Sequence, residues 1–92
     1  MGLDLVDTLY RLERRYGVRL RADDFKPYFA KPAHQLTAGE LHSVLCDALA
    51  RERKPVPVSS WNGVRRELAE VAVVSPFVIR RQSRLRDDLG IE

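Results

Sequence analysis

The segment Thr37-Ala38-Gly39-Glu40-Leu41-His42-Ser43-Val44-Leu45-Cys46-Asp47-Ala48-Leu49 contains the strongest helix signal in the sequence. Thr37 and Glu40 have the spacing of a capping box, in which each side chain accepts a hydrogen bond from the other residue's backbone amide. The apolar residues that follow recur at helical spacing and form one stripe: Leu41, Val44, Leu45, Ala48 and Leu49. The sequence therefore predicts a long amphipathic helix that starts after Thr37 and continues to about residue 52.

The residues before this helix predict a second long helix and then a loop. Between Leu3 and Tyr16, apolar residues fall on one helical stripe: Leu5, Leu9, Leu12 and Tyr16. Acidic residues in its first turn and basic residues in its last turn suit the helix macrodipole: Asp4, Asp7, Arg11, Arg14 and Arg15. Gly17 is the predicted stop. Two prolines exclude a long helix over residues 18–36, so we expect a loop with one short helix whose rings cover the core: Phe25, Tyr28 and Phe29.

The residues after the central helix predict a linker and a third long helix. Two prolines favour an extended linker over residues 53–60. A helix is predicted from Trp61 to Val73, with Ser75-Pro76 at its end. Its predicted N-cap and core-facing residues are Ser59 or Ser60, then Val64, Leu68 and Val71. No convincing alternating strand occurs, so the sequence predicts an all-α fold.

Length and composition restrict the class of protein. A chain of 92 residues, 45% hydrophobic and 32% charged, is predicted to form one globular domain and is too short for an enzyme with separate cofactor and substrate domains. The single cysteine cannot form an internal disulfide, no apolar run approaches the length of a membrane span, and no signal peptide is evident, so we expect a cytoplasmic protein without a membrane partner. A net charge of +3 is too small to indicate a nucleic-acid partner.

Two separated stretches resemble the halves of an acyl carrier protein in exchanged order. Gly2-Leu3-Asp4-Leu5-Val6-Asp7 and Leu12-Glu13-Arg14-Arg15-Tyr16-Gly17-Val18 resemble the start and end of that family's second helix. Leu36-Thr37-Ala38-Gly39-Glu40-Leu41 is similar to the start of its last helix. Residues 64–92 resemble its first helix and long first loop, and their closing Arg86-Asp87-Asp88-Leu89-Gly90-Ile91-Glu92 is similar to the acidic Asp-Leu-Gly sequence that precedes the family's serine.

The resemblance implies a circularly permuted, acyl-carrier-like four-helix bundle with three long helices and one short helix. Residues 1–52 resemble the second to last helices, residues 53–60 are the linker, and residues 61–92 resemble the first helix and first loop. In the family's fold the last helix ends near the start of the first, and the linker would close that gap. The two ends of the chain would lie side by side at the start of the second helix, an arrangement that tolerates permutation.

The resemblance also implies where the chemistry of the family would be. A carrier attaches 4′-phosphopantetheine to a serine at the start of its second helix, and the matching residue is Gly2, which has no hydroxyl. We therefore predict a non-enzymatic, monomeric interaction module that has no prosthetic group and no metal. Its partner would be a protein such as an enzyme of fatty-acid or polyketide synthesis. The predicted partner-binding surface contains Gly2, Leu3, Asp4, Val6 and Asp7.

Two alternatives for the function remain open from the sequence. One is a functional acyl or peptidyl carrier whose arm is attached to another serine. The other is a small nucleic-acid-binding protein that uses a basic run, although two aspartates directly after the run favour a solvated loop: Arg80, Arg81, Arg84 and Arg86. A further alternative concerns assembly, because the C-terminal segment could exchange between two molecules in a swapped dimer.

Three other groups of residues have a functional and a structural interpretation. His42 and Cys46 lie four residues apart and could supply two metal ligands or a nucleophilic thiol, but without further ligands a half-exposed histidine and a buried thiol are favoured. Trp61 could bind a partner, but packing on its own core is favoured. Asp4 and Asp7 could act in acid-base catalysis, but carboxylates at a helix start usually interact with the helix dipole.

Overall fold

The computed structural model describes residues 3–30 and 34–92, which form four helices. Helix α1 is Leu3–Tyr16, α2 is a 3-10 turn Ala22–Phe25 that continues as an α-helix Lys26–Phe29, α3 is Ala38–Arg51, and α4 is Ser60–Ala72. A further 3-10 turn spans Pro76–Val78. No strand occurs in the described ranges, which confirms the all-α prediction. The long helices agree with their predicted bounds to within a residue.

One apolar core joins the three long helices. Helix α4 packs against both α1 and α3. The largest side chains that are fully enclosed come from these helices and from the tail after them: Leu12, Leu41, Val44, Leu45, Leu49, Val64, Leu68 and Ile79. All five residues of the predicted α3 stripe are buried. Each enclosed leucine or valine contributes about 1.5 to 3 kcal/mol relative to an exposed one, so the enclosed side chains together are the main source of stability.

Ion pairs between α1 and α4 show that these two helices are antiparallel. Arg15, near the end of α1, contacts Glu67 at 2.9 Å, whereas Arg11, one turn earlier, contacts Glu70 at 2.6 Å. The Tyr16 hydroxyl lies 3.5 Å from the Ser60 carbonyl oxygen at the start of α4. The charged pairs lie at the margin of the interface, where each contributes less than about 1 kcal/mol, so they set alignment more than stability.

The linker returns alongside α3 before α4 begins. Ser60, the first residue of α4, has its hydroxyl 2.8 Å from Nε2 of His42. His42 lies nine residues before Arg51, the last residue of α3, which corresponds to about 14 Å along the helix. The start of α4 therefore lies beside the second turn of α3, whereas the family resemblance implies a position nearer its end.

The tail after α4 lies across the start of α3 and completes its hydrogen bonding. The amides of Ala38 and Gly39 donate to the carbonyls of Ser83 and Arg81, both at 2.8 Å. The Leu85 amide donates to the Leu36 carbonyl at 2.9 Å. The predicted capping box is present and satisfies the amides of its own two residues, Thr37 and Glu40. All four amides that an isolated α3 would leave without partners therefore have acceptors.

Several local features differ in detail from their predictions. Ser59 is the N-cap of α4, as one of the two predicted candidates, but its side chain makes no capping hydrogen bond. Phe29 is half exposed and stacks on the buried Phe25, so only part of the predicted aromatic cover reaches the core. Asp7 lies beyond the first turn of α1 and pairs with Arg11. Helix α4 ends at Ala72, because Val73 has the left-handed backbone conformation that reverses a helix end.

The close approach of the tail to α3 predicts the effect of a mutation at Gly39. A Cβ atom at this position would lie 2.9 Å from the Arg81 carbonyl oxygen, so the tail would have to move. We expect Gly39→Ala to lower the free energy of unfolding by about 1 to 2 kcal/mol, even though alanine favours helices by up to about 1 kcal/mol. Urea denaturation measures this change. Ser43→Ala, on the exposed side of the same helix, is the control and should change stability by less than about 0.5 kcal/mol. An equal or higher stability of Gly39→Ala would contradict this account of the α3 start.

Candidate functional site

The start of α1 lies directly beside residue 92. The Leu5 amide donates a hydrogen bond to the Glu92 carbonyl oxygen at 2.9 Å. The preceding residue, Ile91, is buried in the core and fixes this end of the chain. Residue 92 therefore supplies an acceptor to an amide in the first turn of α1, where a helix needs acceptors from outside.

The predicted partner-binding residues share this exposed end of α1. Leu3 is 86% exposed, Val6 is half exposed, and Asp4 and Asp7 are exposed to solvent. Gly2 lies outside the described residues. Four of the five predicted site residues are thus accessible on one short stretch of helix, and none of them is needed to fill the core.

Tyr10 extends the apolar part of this surface and was missed in the sequence analysis. It is 56% exposed and follows Val6 by four residues, so the two share one side of the helix. The Arg14 guanidinium carbon lies 5.7 Å from the centre of the Tyr10 ring. The signal that identifies Tyr10 in the sequence is a second, exposed apolar stripe beside the buried one: Leu3, Val6 and Tyr10.

The charges of this surface are of mixed sign. Arg11 contacts the Asp7 carboxylate at 3.2 Å, and the hydrogen bond between them is the main cause of the raised pKa of Arg11. Arg14 and Arg15 follow on the next turn. A surface with both signs gives little long-range attraction for a strongly charged molecule.

A second cluster of polar residues surrounds His42 on α3. Its Nε2 lies 2.8 Å from the Ser60 hydroxyl and 3.4 Å from the Cys46 sulfur. Its Nδ1 lies 3.3 Å from the Arg81 guanidinium, which in turn covers the Trp61 ring at 4.5 Å. Burial, and secondarily the charge of Arg81, lower the pKa of His42.

This geometry opposes catalysis by His42. A guanidinium only donates hydrogen bonds, so Nδ1 is the acceptor and the proton of the neutral ring is on Nε2. With Nε2 protonated, His42 cannot accept a proton from Ser60 or Cys46. In a Ser-His-Asp triad, the far nitrogen of the histidine is instead bonded to a carboxylate, which stabilises the imidazolium. Among residues 3–30 and 34–92, no group of three or more histidine, cysteine, aspartate or glutamate side chains is arranged to hold a metal ion.

The basic run of the tail is largely engaged with its own neighbours. Arg84 pairs with Asp88 at 3.2 Å and with Asp87 at 3.6 Å, and Arg86 contacts Asp87 at 3.6 Å. Arg81 covers Trp61, which packs half buried against the core. The pairing of two of the four arginines with carboxylates weakens the interpretation as a phosphate-binding surface.

Comparisons of the chain with protein-family models, with curated proteins and with solved structures give no match. The structure on its own defines a small, all-helical domain of four helices. None of its described helices is long and apolar enough to cross a lipid bilayer.

The contact between Arg81 and His42 predicts a change in the pKa of His42. Replacing Arg81 by glutamine removes the charge that disfavours the imidazolium, while the burial of the ring remains. We therefore expect Arg81→Gln to raise the pKa of His42 toward, but not fully to, its ordinary value of about 6.5, as measured by NMR titration of the ring. Arg80→Gln, with the same loss of charge one residue away, is the control.

The lowered pKa of His42 also determines how the stability of the fold changes with pH. Because folding lowers the pKa of His42, the unfolded chain binds the proton more readily, and the stabilisation by neutral His42 is present above about pH 6.5 and is lost as the pH falls through the folded pKa. This loss should be smaller in Arg81→Gln than in Arg80→Gln. Identical pH profiles in the two variants would show that Arg81 does not act on His42.

Proposed function

We propose that this protein is a circularly permuted, acyl-carrier-like domain that has lost its attachment serine and binds a protein partner through the exposed start of α1. The hydrogen bond between Leu5 and Glu92 carries the proposal, because it joins the two stretches that the family has in direct succession. The surface concerned contains Leu3, Asp4, Val6 and Asp7, and Gly2 precedes it in the sequence.

The register of this hydrogen bond supports the permutation. If Glu92 were followed directly by Gly2, Leu5 would be the fourth residue after it, and an amide bonded to the carbonyl four residues earlier is the repeating unit of an α-helix. In a chain without the permutation, residue 92 would be the residue directly before Gly2, and its carbonyl would accept the first hydrogen bond of that helix. Met1 is the one residue that would have to be removed for Glu92 to precede Gly2 directly and keep this spacing.

The residues at the attachment position do not fit 4′-phosphopantetheine. The group is attached through a phosphodiester to a hydroxyl, and Gly2 supplies none. Four of the other five serines, all except the exposed Ser59, have side chains that are hydrogen-bonded within the domain, and Ser75 accepts from the Phe77 amide. Ser43 bonds to the Gly39 carbonyl, Ser60 to His42, and Ser83 to the Arg80 amide. A partner would therefore recognise the helix surface itself.

A rejoined chain tests the permutation and the loss of the attachment site together. In this variant Glu92 is followed directly by Gly2 without Met1, and the chain is opened in the exposed linker at Pro55. We expect it to fold at least as stably as the original chain, because the new peptide bond restores a continuous helix start. The matched control keeps Met1 at the junction and should be less stable, since the extra residue breaks the register.

Modification by a phosphopantetheinyl transferase then tests the proposed site. With coenzyme A and a broad-specificity transferase, the original chain should keep its mass, whereas the rejoined chain carrying Gly2→Ser should gain one phosphopantetheine. Adding Leu3→Asp and Val6→Asp should slow this reaction without loss of stability, since both side chains are exposed. Failure of the rejoined chain to fold would contradict the permutation, and modification of the original chain would contradict the loss of the site.

A further inference from the structure

A groove with arginines and apolar side chains lies between the end of α1, α4 and the turn Pro76–Val78, away from the start of α1. Its larger lobe has a volume of about 560 Å³, and a second lobe of about 390 Å³ shares three of its residues. Six of the lining residues matter here: Arg15, Gly63, Arg65, Arg66, Pro76 and Phe77. A groove of this size accepts side chains of a bound peptide or a small ligand.

The apolar residues around this groove are unusually exposed. Phe77 and Val74 line the groove and are exposed, and their neighbours in the sequence, Val78 and Val73, are exposed too, Val73 to 87%. Val73 has a φ of 57°, at a helix end where glycine is usual because it has no Cβ atom. A branched apolar side chain thus stands on the surface in a strained backbone position, although a small or polar residue would fit the local backbone better. Local folding does not explain this apolar patch.

Two of the three arginines that line the groove, Arg65 and Arg66, lack carboxylate partners, whereas Arg15 pairs with Glu67. Arg65 is held in place by neutral groups, since it donates to the Ile79 carbonyl at 3.1 Å and to the Asn62 side chain at 3.3 Å. Neither Arg65 nor Arg66 forms a salt bridge with any carboxylate in the described part of the chain. The larger lobe is lined by no acidic residue, and the one acidic residue of the second lobe, Glu70, pairs with Arg11 on α1. The groove therefore has two uncompensated guanidinium groups beside an apolar rim.

We propose that this groove binds an acidic segment of a partner protein, with one large apolar side chain of that segment against Phe77 and carboxylates opposite Arg65 and Arg66. Planar guanidinium groups pair with carboxylates in a defined geometry, and Arg65 is already oriented before binding. A flat bilayer surface cannot fill a concave groove, so a peptide fits better than an anionic membrane. This surface is separate from the start of α1, and its occupation does not depend on the proposed carrier origin.

Selection from a library tests the proposal without prior choice of a sequence. The whole protein is immobilised and exposed to displayed random peptides about 16 residues long. We expect the selected peptides to be enriched in aspartate and glutamate around a single aromatic or large aliphatic residue. Selected peptides without acidic enrichment would overturn the proposal, as would the absence of any selection.

Substitutions then locate the binding site for the best selected peptide. Arg65→Gln with Arg66→Gln, and separately Phe77→Ser, should each weaken binding by about tenfold or more, as measured by fluorescence anisotropy. All three side chains are at least partly exposed, so circular dichroism should show an unchanged fold. The charge-matched control, Arg14→Gln with Arg80→Gln, should bind with less than about a twofold change.

Two further measurements separate this groove from the other candidates. Leu3→Asp with Val6→Asp, at the start of α1, should leave peptide binding to the groove unchanged. The peptide-binding result is therefore independent of whether the start of α1 binds a partner. Sedimentation with vesicles containing about 30% phosphatidylserine should show no binding that depends on Arg65 and Arg66. Binding to vesicles in place of peptides, or equal weakening by the control arginines, would overturn the proposal.

Discussion

The start of α3 and the tail that crosses it form the contact on which the rest of the domain depends. A helix start buried in a core has amides that need acceptors, and α3 obtains two of them from the carbonyls of Arg81 and Ser83. Each such hydrogen bond adds about 1 kcal/mol, and an unsatisfied buried amide costs about 1 to 3 kcal/mol. The same contact holds Ile79, Leu85 and Ile91 in the core. Without it, both the α3 start and the tail would lose their positions.

The position of the tail explains how the surface around α1 arises. Once Leu85 is fixed against Leu36, only a few residues remain to bring Ile91 into the core and Glu92 to the first turn of α1. The Leu5 amide in the first turn of α1 then has a backbone acceptor, the Glu92 carbonyl oxygen. Its first residues are consequently free to be apolar and exposed, as Leu3 and Val6 are. In the proposed permuted carrier, this surface keeps its position although its attachment chemistry is lost.

Local features of the fold could be predicted from the sequence, and features that depend on distant contacts could not. The capping box and the apolar stripe of α3 act within one helix, so their spacing was sufficient. Thr8 is fully buried, and its hydroxyl is satisfied by a hydrogen bond to the Asp4 carbonyl, which a polarity pattern does not show. Ser60 bonds to His42 instead of capping its own helix, and that partner is 18 residues away. Arg81 was predicted only as part of a basic run, because its contacts with His42 and Trp61 require the folded tail.

The adjacency of Leu5 and Glu92 joins the tail to the start of α1, and NMR can detect it directly in the unaltered protein. A scalar coupling across a hydrogen bond connects the donor nitrogen with the carbonyl carbon of its acceptor. We predict such a coupling between the Leu5 amide and the Glu92 carbonyl, with slow hydrogen exchange of that amide. Absence of the coupling together with unprotected exchange at Leu5 would show that residue 92 does not lie at the start of α1.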